Sequence, residues 1–239
     1  MGKTSVEYAT DQITIYRYCN YRCRYCWAWR LPIFTSRIKR GKYDPVEEAR
    51  KYLRITGRRV IVVSFTSDPY PWDEVDKMMT RRVLGVLANA RQHRVLILTK
   101  NPTLALRDTD LMKKHGDMWL GSTVISIDKN DWEPYAPTPK SRILALSIAH
   151  DDGVKTWMSI EPIIPGVTKP EEIIKETWEY VDYYVLGSLN YPRQLKLPFT
   201  EAELKRYYME HIPRAVRLLR ELDKKYTIKK ELKRYVGEL

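Results

Sequence analysis

The chain alternates between short apolar runs and longer stretches in which apolar residues recur at helical spacing. Apolar runs of strand length lie at 13–18, 60–65, 95–99, 119–127, 156–164 and 183–189. Helical spacing follows each run, at about 44–55, 75–90, 103–114, 141–150, 170–181 and 201–225. Six strand–helix units in succession predict an α/β fold with a parallel sheet and right-handed crossovers.

Local signals mark the boundaries of several helices. Asp44 followed by Pro45 is typical of a helix start, because it combines a capping side chain with a proline in the first turn. Thr168 is expected to cap the helix that starts at Pro170. Pro213 is expected to kink or break the last helical stretch, because proline removes a backbone donor.

Polar and special residues collect where the apolar runs end. The second run ends in Phe65-Thr-Ser-Asp-Pro-Tyr-Pro71, the third in Thr99-Lys-Asn-Pro102, and the sixth in Gly187-Ser-Leu-Asn190. The fifth run continues through a polar segment at 159–166. The fourth is the weaker case, with its polar residues inside the run. Closed barrels of parallel strands carry their chemistry at the carboxyl ends of the strands. We therefore expect these segments to surround a site.

The first apolar run leads into the only three cysteines of the chain, Cys19, Cys23 and Cys26. Structural zinc sites normally have four protein ligands, and complete iron–sulfur sites normally have four thiolates. Three thiolates without a fourth therefore indicate a metal site with one position open for an outside ligand. Cysteines gathered in one motif also favour metal binding over disulfides.

The alternative is that these are buried core cysteines, or a zinc knuckle completed by a histidine. Arg22, Arg24 and Tyr25 stand between the cysteines, and this composition is unfavourable for a core segment. No histidine lies close in sequence, the four being His93, His115, His150 and His211.

Composition indicates the compartment and the class of partner. A chain of 239 residues fits one domain. It has no apolar run of membrane-spanning length and no secretory segment at its polar start, so a cytoplasmic protein without membrane partners is expected. The net charge is +12, and residues 1–43 contribute nine Lys and Arg against two acidic residues. This excess favours a polyanionic partner such as nucleic acid, the alternative being a charged, solvated surface.

The C-x3-C-x2-C spacing, with aromatic Tyr25 directly before the third cysteine, resembles the signature of the radical S-adenosylmethionine (radical SAM) superfamily. The resemblance implies that Cys19, Cys23 and Cys26 hold three irons of a [4Fe-4S] cluster. The amine and carboxylate of S-adenosyl-L-methionine would chelate the fourth iron. The implied fold is a partial (β/α)6 barrel over residues 1–200. Residues 201–239 are then expected to form a basic C-terminal helical extension packed on the barrel.

Further segments are similar to the spore photoproduct lyase-like branch of that superfamily. They are Thr66–Tyr70, Leu98–Lys100, the strand around Ser122, and Glu161–Gly166, and the similarity extends over about residues 13–190. Photoproduct lyases have a hydrogen-donating cysteine two residues before the serine that corresponds to Ser67. In this chain that position is Phe65. A lyase mechanism of that type is therefore disfavoured. A tyrosine is the available substitute as hydrogen donor, and the sequence does not choose among the 17 present.

The resemblance also implies contacts with S-adenosylmethionine. Tyr25 would lie against the adenine with Trp27 nearby, while Ser67 and Asp68 would engage the methionine amine or the ribose. Lys100 would meet the carboxylate, which suits a cation. Ser122 would be a ribose-side contact and Arg142 a second carboxylate partner.

Each assignment has a simpler alternative. Ser67 and Asp68 would form an ordinary turn, and Lys100 would be a surface lysine at a strand end. Ser122 and Arg142 would be a plain strand serine and a solvated helix arginine. Because Ser67, Asp68 and Lys100 fall on successive strand ends, the cofactor roles are preferred for those three.

The implied reaction is reductive cleavage of S-adenosylmethionine to a 5′-deoxyadenosyl radical that abstracts hydrogen from a substrate. The segment 27–43 interleaves aromatic and cationic residues, which favours a nucleic-acid substrate, unless its aromatic residues serve to shield the cluster. The alternatives are a radical SAM enzyme acting on a peptide or small metabolite, and a nonenzymatic metal- or nucleic-acid-binding module. A ferredoxin- or flavodoxin-like electron donor is expected as a partner, and the sequence does not choose between monomer and dimer.

Overall fold

The structure, a computed structural model, describes residues 2–4, 6–32 and 43–239. One sheet of eight strands forms its centre, and the spatial order of the strands follows the chain. The strands are β1 (Gly2–Lys3), β2 (Asp11–Ile13), β3 (Val60–Val63), β4 (Arg94–Thr99), β5 (Met118–Thr123), β6 (Thr156–Ile163), β7 (Tyr183–Ser188) and β8 (Lys225–Ile228).

Helices connect the strands in the described part of the chain. The first group is α1 (Trp27–Arg30), α2 (Pro45–Tyr52), α3 (Glu74–Lys77), α4 (Met79–Leu87) and α5 (Pro102–Ala105), followed by a 3-10 turn at Leu106–Asp108. The second group is α6 (Thr109–His115), α7 (Pro139–Asp151), α8 (Pro170–Thr177), α9 (Glu201–Glu221) and α10 (Lys230–Val236). No helix among these residues is long and apolar enough to cross a membrane.

The strands β2 to β8 run parallel and curl into a half-barrel, whereas β1 pairs antiparallel with β2. Near the carboxyl edge, Val63 of β3 lies opposite Ile13 of β2 and Ile97 of β4. The segments that follow the strands therefore meet at one edge of the sheet. The predicted α/β class and partial barrel are confirmed.

The half-barrel has seven parallel strands, one more than the six predicted. The additional strand, β8, lies in the segment predicted to be helical, and it pairs with β7. The backbone N–H of Lys229 continues this pairing by donating to the carbonyl of Leu186 at 2.9 Å. Four residues flanked by lysines are too short and too polar to stand out as an apolar run. The C-terminal extension is therefore a helix, a strand and a second helix.

The helix predicted over 75–90 is two helices, α3 and α4, which meet at Met78. The backbone of Met78 is left-handed, with φ 52°, and this ends α3. The buried Glu74 carboxylate accepts from the N–H groups of Met79 (3.0 Å) and Thr80 (3.1 Å), so it caps the first turn of α4. This capping side chain lies five residues upstream, where apolar periodicity does not reveal it.

The other boundaries differ from prediction by a few residues. The strand predicted at 13–18 corresponds to β2, which occupies Asp11–Ile13. Asp44 caps α2 as predicted, accepting from two backbone N–H groups of the first turn. Thr168 does not cap α8: Lys169 is the N-cap residue, with no side-chain capping bond, and the buried Thr168 hydroxyl donates instead to the carbonyl of Pro162 at 3.3 Å. Pro213 lies inside α9 and does not interrupt it.

Gly121 of β5 is expected to tolerate no side chain. A Cβ there would lie 2.3 Å from the indole nitrogen of Trp157, which is fully buried and donates to the Ile97 carbonyl at 3.0 Å. Gly121→Ala should lower the free energy of unfolding by about 1–3 kcal/mol through overpacking, as measured by urea denaturation. The matched control is Gly85→Ala in α4, where nothing lies within 4 Å of the new Cβ. Equal midpoints for both variants would contradict this account.

Candidate active site

The segment after β2 presents the three cysteines at the carboxyl edge of the strands. Cys23 is buried, and Cys19 and Cys26 are half-buried. The N–H of Cys26 donates to the Cys23 carbonyl at 3.0 Å, and Arg22 has a left-handed backbone with φ 45°. The helix α1 begins directly after Cys26. All three cysteines line one cavity, so the motif faces a common space instead of being dispersed through the core.

Burial raises the pKa of the Cys19 thiol to about 11 and that of Cys23 to about 12, and it also raises the pKa of Cys26. The three side chains are therefore neutral thiols near pH 7 until a cation binds them. Iron binding would displace these protons, because the thiolate is the ligand form. In the described ranges no three His, Cys, Asp or Glu side chains converge as on a single metal ion. A cluster in which each thiolate binds a different iron does not require such convergence.

The cavity encloses about 930 Å³, its open mouth included. It is lined by residues that follow or end successive strands, from the cysteine segment to Asn190 after β7. This is the position expected of a small-molecule site. The predicted site residues that line it are the three cysteines, Tyr25, Trp27, Ser67, Asp68 and Lys100.

Asp68 braces the turn after β3. Its Oδ1 accepts from the hydroxyl of Thr99 (2.6 Å) and the N–H of Tyr70 (2.8 Å), and its Oδ2 accepts from the N–H of Lys100 (2.8 Å). Burial raises the pKa of Asp68, and these hydrogen bonds oppose the shift. The hydroxyl of Ser67 donates to the carbonyl of Tyr16. Both residues thus form a braced turn on the cavity wall, and their contact with a cofactor stays a prediction.

Lys100 holds a positive charge inside the cavity. Its ammonium lies 3.8 Å from Glu133 Oε1 and 5.5 Å from the centre of the Tyr25 ring. Burial lowers the pKa of Lys100, but the neighbouring Cys23 and Glu133 raise it, and the net shift is upward. A cation fixed in this position is suited to bind a ligand carboxylate.

Glu133 is a buried carboxylate that the sequence interpretation missed. It accepts a hydrogen bond from the Tyr25 hydroxyl, and its Oε2 lies 2.6 Å from Nη1 of Arg142. The adjacent carbonyl of Trp132 accepts from the N–H of Arg24 at 2.8 Å. The loop between β5 and α7 is thus tied to the cysteine segment at two points. Glu133 does not directly follow an apolar run. The only local sequence signal is that Trp132 and Pro134 flank it within an otherwise polar loop.

Ser122 and Arg142 lie outside the residues that line the cavity. Ser122 is fully buried and donates to the Thr99 carbonyl at 2.7 Å. Arg142 is also buried, and its N–H groups point to the carbonyls of Thr123 (3.0 Å) and Pro137 (2.8 Å) beside its ion pair with Glu133. The alternative of a solvated helix arginine is therefore wrong. Direct contact of either side chain with a cofactor stays a prediction.

Trp27 and Phe65 form an aromatic part of the cavity wall. Their ring centroids are 6.1 Å apart, and the Trp27 ring is 6.2 Å from that of Tyr191. Phe65 occupies the position at which photoproduct lyases carry a cysteine. Its side chain has no thiol hydrogen to donate to a radical. The chain has no cysteine beyond the three in the motif.

The residues present fit a [4Fe-4S] cluster with S-adenosylmethionine. Three thiols face a common cavity and leave one coordination position for an outside ligand. A half-buried cation, Lys100, stands near them, and aromatic side chains supply flat walls. Cys19, Cys23 and Cys26 would hold the cluster, and Lys100 would hold the carboxylate of S-adenosylmethionine.

Comparisons with known proteins agree with this assignment. Residues 13–181 match the model of the radical SAM superfamily. The chain is 31% identical over 246 residues to the uncharacterized protein MJ0683 of Methanocaldococcus jannaschii, covering 100% of this chain and 88% of that protein.

Two solved structures share the fold at low identity. A spore photoproduct lyase variant with dinucleoside spore photoproduct has a TM-score of 0.66 at 15% identity, covering 88% of this chain and 73% of that one. SuiB of Streptococcus suis bound to S-adenosylmethionine has a TM-score of 0.66 at 13% identity, covering 96% of this chain and 52% of that one. The cysteine motif, the half-barrel and the match over most of the chain lead to one conclusion: this protein belongs to the radical SAM superfamily.

Proposed function

We propose that this radical SAM enzyme acts on a nucleic acid. The observation that carries the proposal is a set of exposed aromatic side chains around the cysteine segment and the cavity mouth, here called the aromatic rim. Its members are Tyr18, Trp29, Trp72, Tyr135 and Tyr191, with exposed fractions between 40% and 60%. Exposed rings of this kind are suited to stack on unpaired bases.

The aromatic rim is continuous with the cysteine segment. Tyr18 and Tyr135 line a small groove together with Cys19 and Arg22. The indole N–H of Trp72 donates to the carbonyl of Tyr135 at 3.2 Å, which joins these side chains to the same surface. A strand of nucleic acid lying on the aromatic rim would thus pass over the site of radical formation.

Cations accompany these rings. Arg22, Arg24 and Arg30 are exposed, and the Arg30 guanidinium lies 5.8 Å from the ring centre of Trp29. Alternating rings and guanidinium groups give stacking surfaces beside partners for phosphates. Of the basic, aromatic segment predicted over 27–43, positions 33–42 lie outside the described residues, including Phe34, Arg37 and Arg40. The proposal therefore rests on the flanking residues.

The side chains divide the work of the proposed reaction. Cluster and S-adenosylmethionine, when bound, supply a 5′-deoxyadenosyl radical that removes a hydrogen atom from the substrate. Lys100 orients the carboxylate of the methionine part of S-adenosylmethionine. Glu133 holds the Tyr25 ring in place by accepting a hydrogen bond from its hydroxyl group. Trp27 and Phe65 exclude water from the space in which the radical is formed. An electron donor must reach the cluster from outside, and it stays a predicted partner.

Both substrate classes occur among structures with this fold. The lyase structure contains a dinucleoside photoproduct, and another SuiB structure, with a TM-score of 0.60, contains a precursor peptide. At 12–15% identity these likenesses show the fold alone. The choice of nucleic acid depends on the exposed rings and arginines of this chain.

Trp29→Ala should weaken binding of a labelled single-stranded oligonucleotide about 5- to 100-fold, because stacking on one ring is lost. Fluorescence anisotropy at several salt concentrations gives the affinity, which should fall linearly in log–log form with salt. Trp178→Ala is the matched control, since Trp178 is an exposed tryptophan with a cation, Lys224, 5.9 Å from its ring, but follows α8 at the opposite edge of the sheet.

Two results would overturn the nucleic-acid assignment. One is equal loss of affinity in the Trp29 and Trp178 variants, which would remove any role of the aromatic rim. The other is the absence of salt-dependent binding to single-stranded DNA and RNA. Stimulation of 5′-deoxyadenosine formation by peptide pools, and not by nuclease-sensitive material, would then favour the peptide alternative.

A further inference from the structure

A second cavity adjoins the cofactor cavity and shares a wall with it. It encloses about 1550 Å³, open solvent included, and lies between the segment after β7, the helices α9 and α10, and the turn at Val6–Glu7. The residues common to both cavities are Trp27, Phe65, Ser188 and Asn190. A molecule in the second cavity would therefore touch the same side chains that enclose the site of radical formation.

An ion pair stands at this shared wall. Glu161 of β6 lines the cofactor cavity, and Lys229, directly after β8, lines the second cavity. The Lys229 ammonium donates to Glu161 Oε1 at 2.7 Å, and the Asn190 amide donates to the same oxygen at 3.4 Å. A Cβ at position 187 would lie 2.5 Å from Glu161 Cδ. Gly187 therefore allows the Glu161 side chain to pack closely against the backbone of β7.

The pair has hydrogen-bonding capacity left for a ligand. Both bonds that the described residues make to the Glu161 carboxylate use Oε1, so Oε2 remains as an acceptor. An ammonium has three N–H groups, and the described part of the chain shows one of them in use on Lys229. Only 7% of the Lys229 side chain and 16% of the Glu161 side chain are exposed. A buried ion pair contributes little net stability, so a pair of this kind at a cavity wall is better explained by recognition.

The surroundings favour a flat and uncharged guest. The rings of Trp27, Phe65 and Tyr191 face the second cavity, and the Lys229 ammonium lies 5.7 Å from the Phe65 ring centre. The charged side chains that line the cavity are three carboxylates and three cations, namely Glu7, Glu201, Glu231, Lys205, Lys229 and Arg234. This balance gives no field that would attract a phosphate into the cavity.

We propose that the second cavity receives a single unstacked nucleobase at the wall that it shares with the cofactor cavity, where the base edge hydrogen-bonds to Lys229 and to its partner Glu161 while the ring lies against the aromatic side chains. The inference rests on the proposed nucleic-acid substrate and adds the part of it that is recognised. A base edge places a donor beside an acceptor, which matches a carboxylate beside an ammonium. The phosphates remain outside, over the arginines of the cysteine segment.

The test compares two single-stranded octamers that differ only in their bases. One is oligothymidylate, and the other is an abasic octamer with the same phosphates; cytidine, adenosine and guanosine octamers are titrated in parallel. Binding is measured by anisotropy with the cluster-free protein, so that the result does not depend on turnover. Glu161→Gln and Lys229→Met should each reduce affinity for the best-bound base octamer about 5- to 100-fold. Affinity for the abasic octamer should stay within about twofold, because phosphate contacts are unchanged.

Control variants separate recognition from folding. Lys113→Met removes an exposed ion pair at the opposite edge of the barrel, in which the Lys113 ammonium lies 2.6 Å from the Asp152 carboxylate. This variant should leave both affinities unchanged. Lys229→Arg keeps the positive charge beside Glu161 but alters its reach and shape, and it should lower base-dependent affinity without changing the melting temperature.

The outcomes separate failure of the base site from failure of the nucleic-acid assignment on which it rests. If the wild-type protein binds neither octamer, the nucleic-acid assignment fails and the inference fails with it. If it binds DNA, and the three Glu161 and Lys229 variants retain the wild-type preference for base-bearing over abasic octamers, the second cavity is not a base site and the nucleic-acid assignment stands. Loss of base preference in the Lys113 variant would also overturn the inference.

Discussion

Cys23→Ala is expected to abolish 5′-deoxyadenosine formation after anaerobic reconstitution with iron and sulfide, because a cluster ligand is lost. Cys23 is the buried member of the three cysteines. The chain has no fourth cysteine that could replace it. Three of the four irons each need a thiolate from the protein, and the variant has only two cysteines left. Without that cluster no electron reaches S-adenosylmethionine.

The measurement has two parts, iron and sulfide per chain, and product formed with S-adenosylmethionine and dithionite. Both should fall together in the Cys23 variant, whereas the Lys113→Met control should match the wild type. A Cys23 variant that retains four irons and forms product would remove the central assignment. A wild type that assembles the cluster but cleaves nothing until nucleic acid is added would show that the substrate gates the reaction.

Glu133→Ala should lower the free energy of unfolding by about 3–5 kcal/mol. Its side chain is 2% exposed, and it lies 2.6 Å from the Arg142 guanidinium and 3.8 Å from the Lys100 ammonium. Removing the carboxylate leaves two cations in a poorly solvated space without their shared partner. It also removes the acceptor of the Tyr25 hydroxyl. The cysteine segment then loses one of its two ties to the β5–α7 loop.

Urea denaturation of the cluster-free protein gives the comparison with wild type. The matched control is Glu172→Ala, which breaks an exposed pair with Lys169 in which both side chains are more than half exposed. Such pairs are largely screened by water, so the control should be close to wild type. Similar losses in the two variants would mean that the buried network around Glu133 is not the stabilising element described.

The parts of the site that could be predicted share one property, which is that their signals are local. Three cysteines within eight residues, and a polar turn such as 66–70 after an apolar run, remain visible without any knowledge of distant contacts. Parallel pairing then brings separate strand ends to one edge, and this places Ser67, Asp68 and Lys100 on one cavity wall.

The parts that could not be predicted depend on contacts between distant residues. Glu133 belongs to the site through its hydrogen bond with Tyr25, which lies 108 residues earlier, and nothing in its own sequence neighbourhood indicates burial. The break at Met78 depends on one carboxylate turning back to cap a helix. Lys229 reaches Glu161 across 68 residues, and only because β8 joins the sheet. Each of these polar side chains would be assigned to the surface by composition alone.

The late position of β8 in the chain separates two tasks along the sequence. The residues assigned to the cluster and S-adenosylmethionine all lie between Cys19 and Arg142, whereas most of the lining of the second cavity comes from Ser188 onward. Under the proposals above, most of the lining of the second cavity is thus encoded in a different stretch of the chain from the cofactor residues. An exchange of residues 188–239 between related enzymes is expected to change the lining of this cavity, whereas the recipient would keep its own cysteine motif, its aromatic rim up to Tyr135 and its own Glu161.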